Sequence, residues 1–176
     1  MKIAWLFSEN TDLGPQVDVK ELHNLAPIWG SWRTWRSYGT DNVICYNSEQ
    51  ARKLLEQEYQ KVCNLYIHQT VWEELGKPIS TRCFGGEFPH SFEFADDVVA
   101  MHLASAANDI VLMMGFHLDS KQPKSPYLDF VAQTIQTTPK TQWVLVDHES
   151  KLAKPFTGLK NITCDKLQNV LQLLNH

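Results

Sequence analysis

Short, unbroken apolar runs alternate with segments of helical periodicity along the whole chain, and that alternation restricts its fold more than any other feature. Ile3–Phe7 is apolar throughout and is closed by Ser8, Glu9 and Asn10. Runs of this length, without polar alternation, suit strands covered on both faces. Further strands are expected at 42–46, 63–68, 109–116, 141–146 and 161–164, the third of these (Ile110-Val111-Leu112-Met113-Met114) being the most apolar and so central. Between them lie helical patterns. Ala51, Leu54, Leu55 and Tyr59 recur at helical spacing over 49–60, behind Ser48 as cap. Other helices are expected near 19–25, over 32–38 with Ser31 as cap and Gly39 as stop, and at 71–75, 95–107, 127–137 and 166–174, the last capped by Asp165. Strand and helix in strict alternation are the signature of crossover units on a parallel sheet. The expected fold is therefore a single α/β domain over residues 1–176, three-layered and Rossmann-like, with a mainly parallel sheet of about five to six strands. Residues 77–94, with Pro78, Pro89 and Gly85-Gly86, read as an irregular loop or an excursion over the sheet edge.

Composition narrows the function classes. A chain of 176 residues with 43% hydrophobic and 20% charged residues can bury its own core. The net charge of −4 argues against a broad phosphate-tracking surface for duplex nucleic acid. The four cysteines, Cys45, Cys63, Cys83 and Cys164, are widely spaced and show no metal-ligand pattern, so free thiols in a cytoplasmic protein are expected and no metal site is assigned. The first apolar run is too short for a leader core and no run is long enough to span a bilayer, so no membrane span is expected.

In open parallel sheets a ligand binds outside the carboxyl ends of the strands, where the strand order reverses. That rule collects the candidate site. Ser8, Glu9 and Asn10 follow the first strand, Asn47 the second and His68 the third. Gly115, His117 and Asp119 follow the most apolar strand, and Asp147 and His148 the next. Three histidines on one rim matter most, because imidazole exchanges protons near neutral pH. His117 is the expected general acid or base, with Asp119 or Asp147 as its orienting partner or a metal contact, and Glu9 is a second candidate acid. Ser8, Asn10, Asn47, His68, Gly115 and His148 are expected to contact ligand. Asp147 and His148 are adjacent, so their side chains diverge if the strand continues through them. Each of these polar groups has a plainer reading as a helix cap or a solvated strand end.

Trp29, Trp32 and Trp35 recur every third residue beside Arg33 and Arg36. One reading buries the tryptophans and sends the arginines outward. A second has Arg33 or Arg36 hold a phosphate; a third makes the stripe an anchor for a homo-oligomer. His102, among apolar residues in mid-helix, reads as a satisfied or surface histidine. No phosphate loop, dinucleotide fingerprint or nucleophile elbow is present.

The stretch 96–119, with the small-residue helix Ala100-Met101-His102-Leu103-Ala104-Ser105-Ala106-Ala107 leading into Ile110-Val111-Leu112-Met113-Met114-Gly115-Phe116-His117-Leu118-Asp119, resembles the core unit of Rossmann-like glycosyltransferases of the bacterial sialyltransferase-like type. In that pattern an acidic residue usually stands where this chain has His117. The resemblance implies a nucleotide or nucleotide-sugar ligand and a group-transfer activity, and names no cofactor. Two other readings stand beside it: a non-catalytic interaction module, and an NAD-processing enzyme, since the same stretch is compatible with sirtuin-like domains.

Overall fold

In the computed structural model, which describes residues 1–15, 17–86, 95–121, 125–148 and 151–175, apolar runs and helical segments alternate as the sequence pattern requires. The strands are β1 (Ile3–Phe7), β2 (Ile28–Ser31), β3 (Asn42–Cys45), β4 (Asn64–His68), β5 (Arg82–Phe84), β6 (Ile110–Met114), β7 (Gln142–Val146) and β8 (Ile162–Asp165). The helices are α1 (Val19–Leu25), α2 (Trp32–Tyr38), α3 (Ser48–Glu56), α4 (Gln69–Glu74), α5 (Ala95–Ala107), α6 (Pro126–Thr137) and α7 (Leu167–Leu174). The strands form one parallel eight-stranded sheet in the order β5-β4-β3-β2-β1-β6-β7-β8.

The sheet is wider than the sequence reading by two strands, β2 and β5. Each is only three or four residues long. Pro27 and Gly30 disguise β2 as loop, and β5 lies inside the segment read as irregular; residues 87–94 of that segment lie outside the described residues.

Strand order explains where the helices go. The chain steps outward from β1 to β5, then returns across the sheet to β6 and steps the other way. Right-handed crossovers must then change face at the return. One face carries α5 and α6 over Ala4, Leu6, Trp29, Ile44, Val111, Met113, Trp143 and Leu145. The opposite face carries α1 and α7 over Trp5, Phe7, Ile28, Leu112, Met114 and Val146, and α3 and α4 over Val43, Cys45, Leu65 and Ile67. Helix α5 holds an unbroken buried run, Val98–Met101, because it is enclosed between the sheet and α6.

Direction reverses between β1 and β6, which lie side by side with Phe7 opposite Met114. This is the switch point, and all eight carboxyl ends share its rim.

Candidate functional site

The crevice at the switch point is stapled shut. Ser8, buried, donates its hydroxyl to the Gly115 carbonyl at 2.7 Å and its N–H to the Met114 carbonyl at 3.0 Å. Thr11 Oγ1 donates to the same Met114 carbonyl at 2.9 Å, and the Tyr38 hydroxyl donates to the Thr11 carbonyl. Gly115 has φ +74°, and a Cβ there would lie 2.5 Å from the Thr11 backbone. Gly115 thus admits the neighbouring loop, where the sequence left open the approach of a ligand.

Closing the crevice turns Glu9 toward the α5 face. Its Oε2 accepts from the Arg33 guanidinium at 2.9 Å and its Oε1 accepts from Ser31 Oγ at 3.3 Å. Asp96 and Asp97, in the first turn of α5, stand beside it. Asp97 is 4% exposed; its Oδ2 accepts from the Tyr127 hydroxyl of α6 at 3.5 Å, and its Oδ1 makes no hydrogen bond of sound geometry among the described residues. Burial first, then the negative charges of Glu9 and Asp96, hold the Asp97 carboxyl well above the usual carboxylate range. The Tyr127 hydroxyl and the Glu9 N–H pull it the other way and do not win. Burial and Glu9 push Asp96 up to about 6, opposed by Arg33. Tyr127 is raised by its own burial and by Asp97. Asp96, Glu9 and the exposed Arg33 open this group to solvent, with Asp97 at its base.

Asp96, Asp97 and Tyr127 are absent from the sequence-derived set. A signal was there. Two adjacent acids open a helix whose next four residues are apolar, so the helix is buried and both acids cannot face water.

The other expected residues are distributed around the rim. His148 is the hub of a second group: burial lowers its basicity, Asp119 raises it and His117 lowers it. Its Nε2 is buried and without a partner among the described residues. Asp119 also accepts from the Lys121 N–H at 2.9 Å, closing its own turn. Asp147 does not join either group. Its backbone is left-handed, at φ 55°, and its Oδ1 accepts the Leu167 N–H at 2.8 Å, so it caps α7 on the opposite face. His148 thus feels the charge of both Asp119 and His117, while Glu9 and Asp147 take other partners.

Asn47 caps α3, accepting from the Glu49 and Gln50 N–H groups at 2.9 and 3.2 Å. His68 is buried between Tyr46 and Phe84, with Nδ1 on Thr70 Oγ1 at 2.8 Å and Nε2 on the Gly86 carbonyl at 3.2 Å. Asn10 is exposed and its N–H donates to Ser8 Oγ. Arg36 covers the Trp32 ring at 5.1 Å. The tryptophan spacing does not make a stripe on one helix: Trp29 lies on β2 against Tyr66, while Trp35 of α2 packs on Tyr59 across the sheet. His102 faces Thr134 of α6, 3.3 Å from its hydroxyl.

A cavity of about 540 Å³ opens beside the first turn of α6, lined by Ser120, Ser125, Leu128, Asp129 and Lys154 among others. Ser125 makes no side-chain cap, Pro126 carries no N–H, and the Leu128 N–H donates to the Ser125 carbonyl at 3.1 Å. Among the described residues no group of three or more His, Cys, Asp or Glu side chains is arranged to hold a metal ion, and no helix is long and apolar enough to cross a membrane. No protein-family model, curated protein or solved structure matches the chain.

Proposed function

We propose that this chain binds a nucleotide or nucleotide sugar at the carboxyl rim, with the hydroxyl-bearing ring on Glu9, Asp96 and Asp97. The observation that carries this reading is the Asp97 carboxyl: buried, its pKa pushed well above the usual carboxylate range by that burial, with one oxygen that makes no hydrogen bond of sound geometry among the described residues. A neutral carboxyl both donates and accepts, which is what a ring hydroxyl requires. Buried polar atoms in native proteins are almost always satisfied, so an orphan in this position favours a missing ligand group. Lys154 supplies a positive side for phosphate, in a cavity large enough for a nucleoside.

Group transfer is the activity this arrangement would serve, with Asp96 or Asp97 handling the proton, since carboxyls shifted toward neutrality suit that task. His148, in electrostatic reach of Asp119 and His117, is a second candidate for handling a proton on the same rim. The four free cysteines fit a cytoplasmic setting. Thermal-shift screening against nucleosides, nucleotides, nucleotide sugars and NAD tests the reading. A shift of several degrees with a nucleotide sugar, reduced in Asp97→Ala, is expected; no shift at millimolar concentration with any of them overturns it.

A further inference from the structure

His23 ties several elements together at the amino end of the sheet. It is half-buried in the last turn of α1. Its Nδ1 lies 2.9 Å from Asp41 Oδ2, just before β3, and its Nε2 lies 3.4 Å from the carbonyl of Tyr38, the last residue of α2. The same Asp41 oxygen accepts the Ile28 N–H at 2.7 Å, which brings in β2. Both ring nitrogens therefore face oxygens that only accept. A neutral imidazole carries one N–H and satisfies one of them; an imidazolium carries two and satisfies both. Its charge also suits the Asp41 carboxylate and the carbonyls that end α1 and α2.

Tyr38 passes the contact on. Its hydroxyl donates to the Thr11 carbonyl, and its ring stands edge-on to Phe7 at 5.5 Å. Thr11 is the loop residue that bonds the Met114 carbonyl and occupies the space Gly115 leaves. Direct contacts thus run from His23 through Tyr38 to the closure of the switch point. We propose that His23 is a proton-operated clasp: as imidazolium it holds the end of α2 and, through Tyr38, the β1–α1 loop, and on losing its proton it lets both loosen.

Once the proton leaves, the remaining N–H stays on the Asp41 carboxylate, and the Nε2 lone pair faces the Tyr38 carbonyl oxygen, an acceptor against an acceptor. The clasp is therefore complete at acidic pH and weakens as pH rises through the titration of the imidazole. The neighbouring groups do not change charge in that range. Burial first, and then the Asp41 charge, push the Cys63 thiol up to about 11, so it stays neutral. Lys20 and Glu21 of α1 are exposed, and Arg36 of α2 lies over Trp32.

Amide exchange read by NMR, corrected for the intrinsic rate at each pH, tests the clasp between pH 5.5 and 8. The Thr11 and Gly39 N–H groups, bonded to the Ser8 and Trp35 carbonyls at 3.1 and 2.7 Å, report the loop and the end of α2. Amides of β1 and β6 serve as the reference. Protection at both reporters is expected to fall at least fivefold across the range, while the reference changes less than twofold. In His23→Gln the fall vanishes at both. In Tyr38→Phe, which keeps the carbonyl and removes the hydroxyl, it persists at Gly39 and vanishes at Thr11. Flat protection at both reporters in the unsubstituted protein, or a fall that survives in His23→Gln, overturns the clasp. A fall at Thr11 that survives Tyr38→Phe overturns the relay to the switch point. If His23→Gln does not fold, Asp41→Asn replaces it, since the carboxamide oxygen can still receive the Ile28 N–H while the counter-charge is gone. Protection is then lost at a lower pH, and an unmoved curve overturns the clasp.

Discussion

Asp97 is the residue whose ionisation the fold works hardest to prevent. An aspartate whose folded pKa is raised binds a proton that the unfolded chain has already released, so stability is highest below the ordinary value of 3.8 and falls as pH rises through the folded value. Each such carboxyl contributes a slope of at most about 1.4 kcal/mol per pH unit. In Asp97→Asn that slope disappears, and a smaller one remains between about 4 and 6 from Asp96. Melting temperatures from pH 4 to 7 should therefore decline less steeply in the variant than in the unsubstituted protein; parallel curves would contradict the buried, protonated carboxyl. Glu9 was legible as a rim residue because strand polarity placed it there. Its true neighbours were not, since they come from α5 and α6, and side chains from separate crossovers meet only once the helices are packed. The role of Asp147 could not be read from the sequence: its left-handed backbone turns it away to cap α7.

Among the elements, the β1–α1 loop and the end of β6 behave as one part. Ser8 and Thr11 supply the hydrogen bonds and Gly115 supplies the space. Gly115→Ala would force a left-handed alanine and drive its methyl group into the Thr11 backbone. A loss of about 2 kcal/mol or more is expected in urea unfolding, with an unchanged m value. An unaltered midpoint would mean that the loop yields freely. Strongly patterned elements were readable in advance: β1, α1, α2 and α5 fall where the sequence puts them, because continuous apolar runs and caps such as Ser31 act locally. Strands β2 and β5 were not, because three or four residues carry too little periodicity, and their pairing depends on β1, β3 and β4 alone. The cap of α3 lies one residue earlier than expected, at Asn47, whose carboxamide oxygen reaches two N–H groups where Ser48 begins the helix.

At the scale of the molecule, a parallel sheet covered on both faces protects its middle and exposes its ends. Native-state hydrogen exchange should be slowest in β1 and β6 and fastest in the edge strands β5 and β8, where Arg82, Cys83, Thr163 and Cys164 are exposed. Equal protection across all eight strands would argue that the sheet opens only as a unit. The overall class was legible because alternation of strand and helix admits few topologies; the width of the sheet was not, since it was set by its two faintest members. The position of β1 has a further effect. It precedes the other seven strands of the sheet in the chain, yet one flank is completed only by β6, whose pairing with it begins at Ile110. A nascent chain on the ribosome therefore carries a half-zipped seam until β6 has emerged, a row of unpaired backbone groups able to template association with another molecule. Any truncation before that residue would leave the seam permanently open, which makes the late arrival of β6 the step that seals the newborn protein against its own copies.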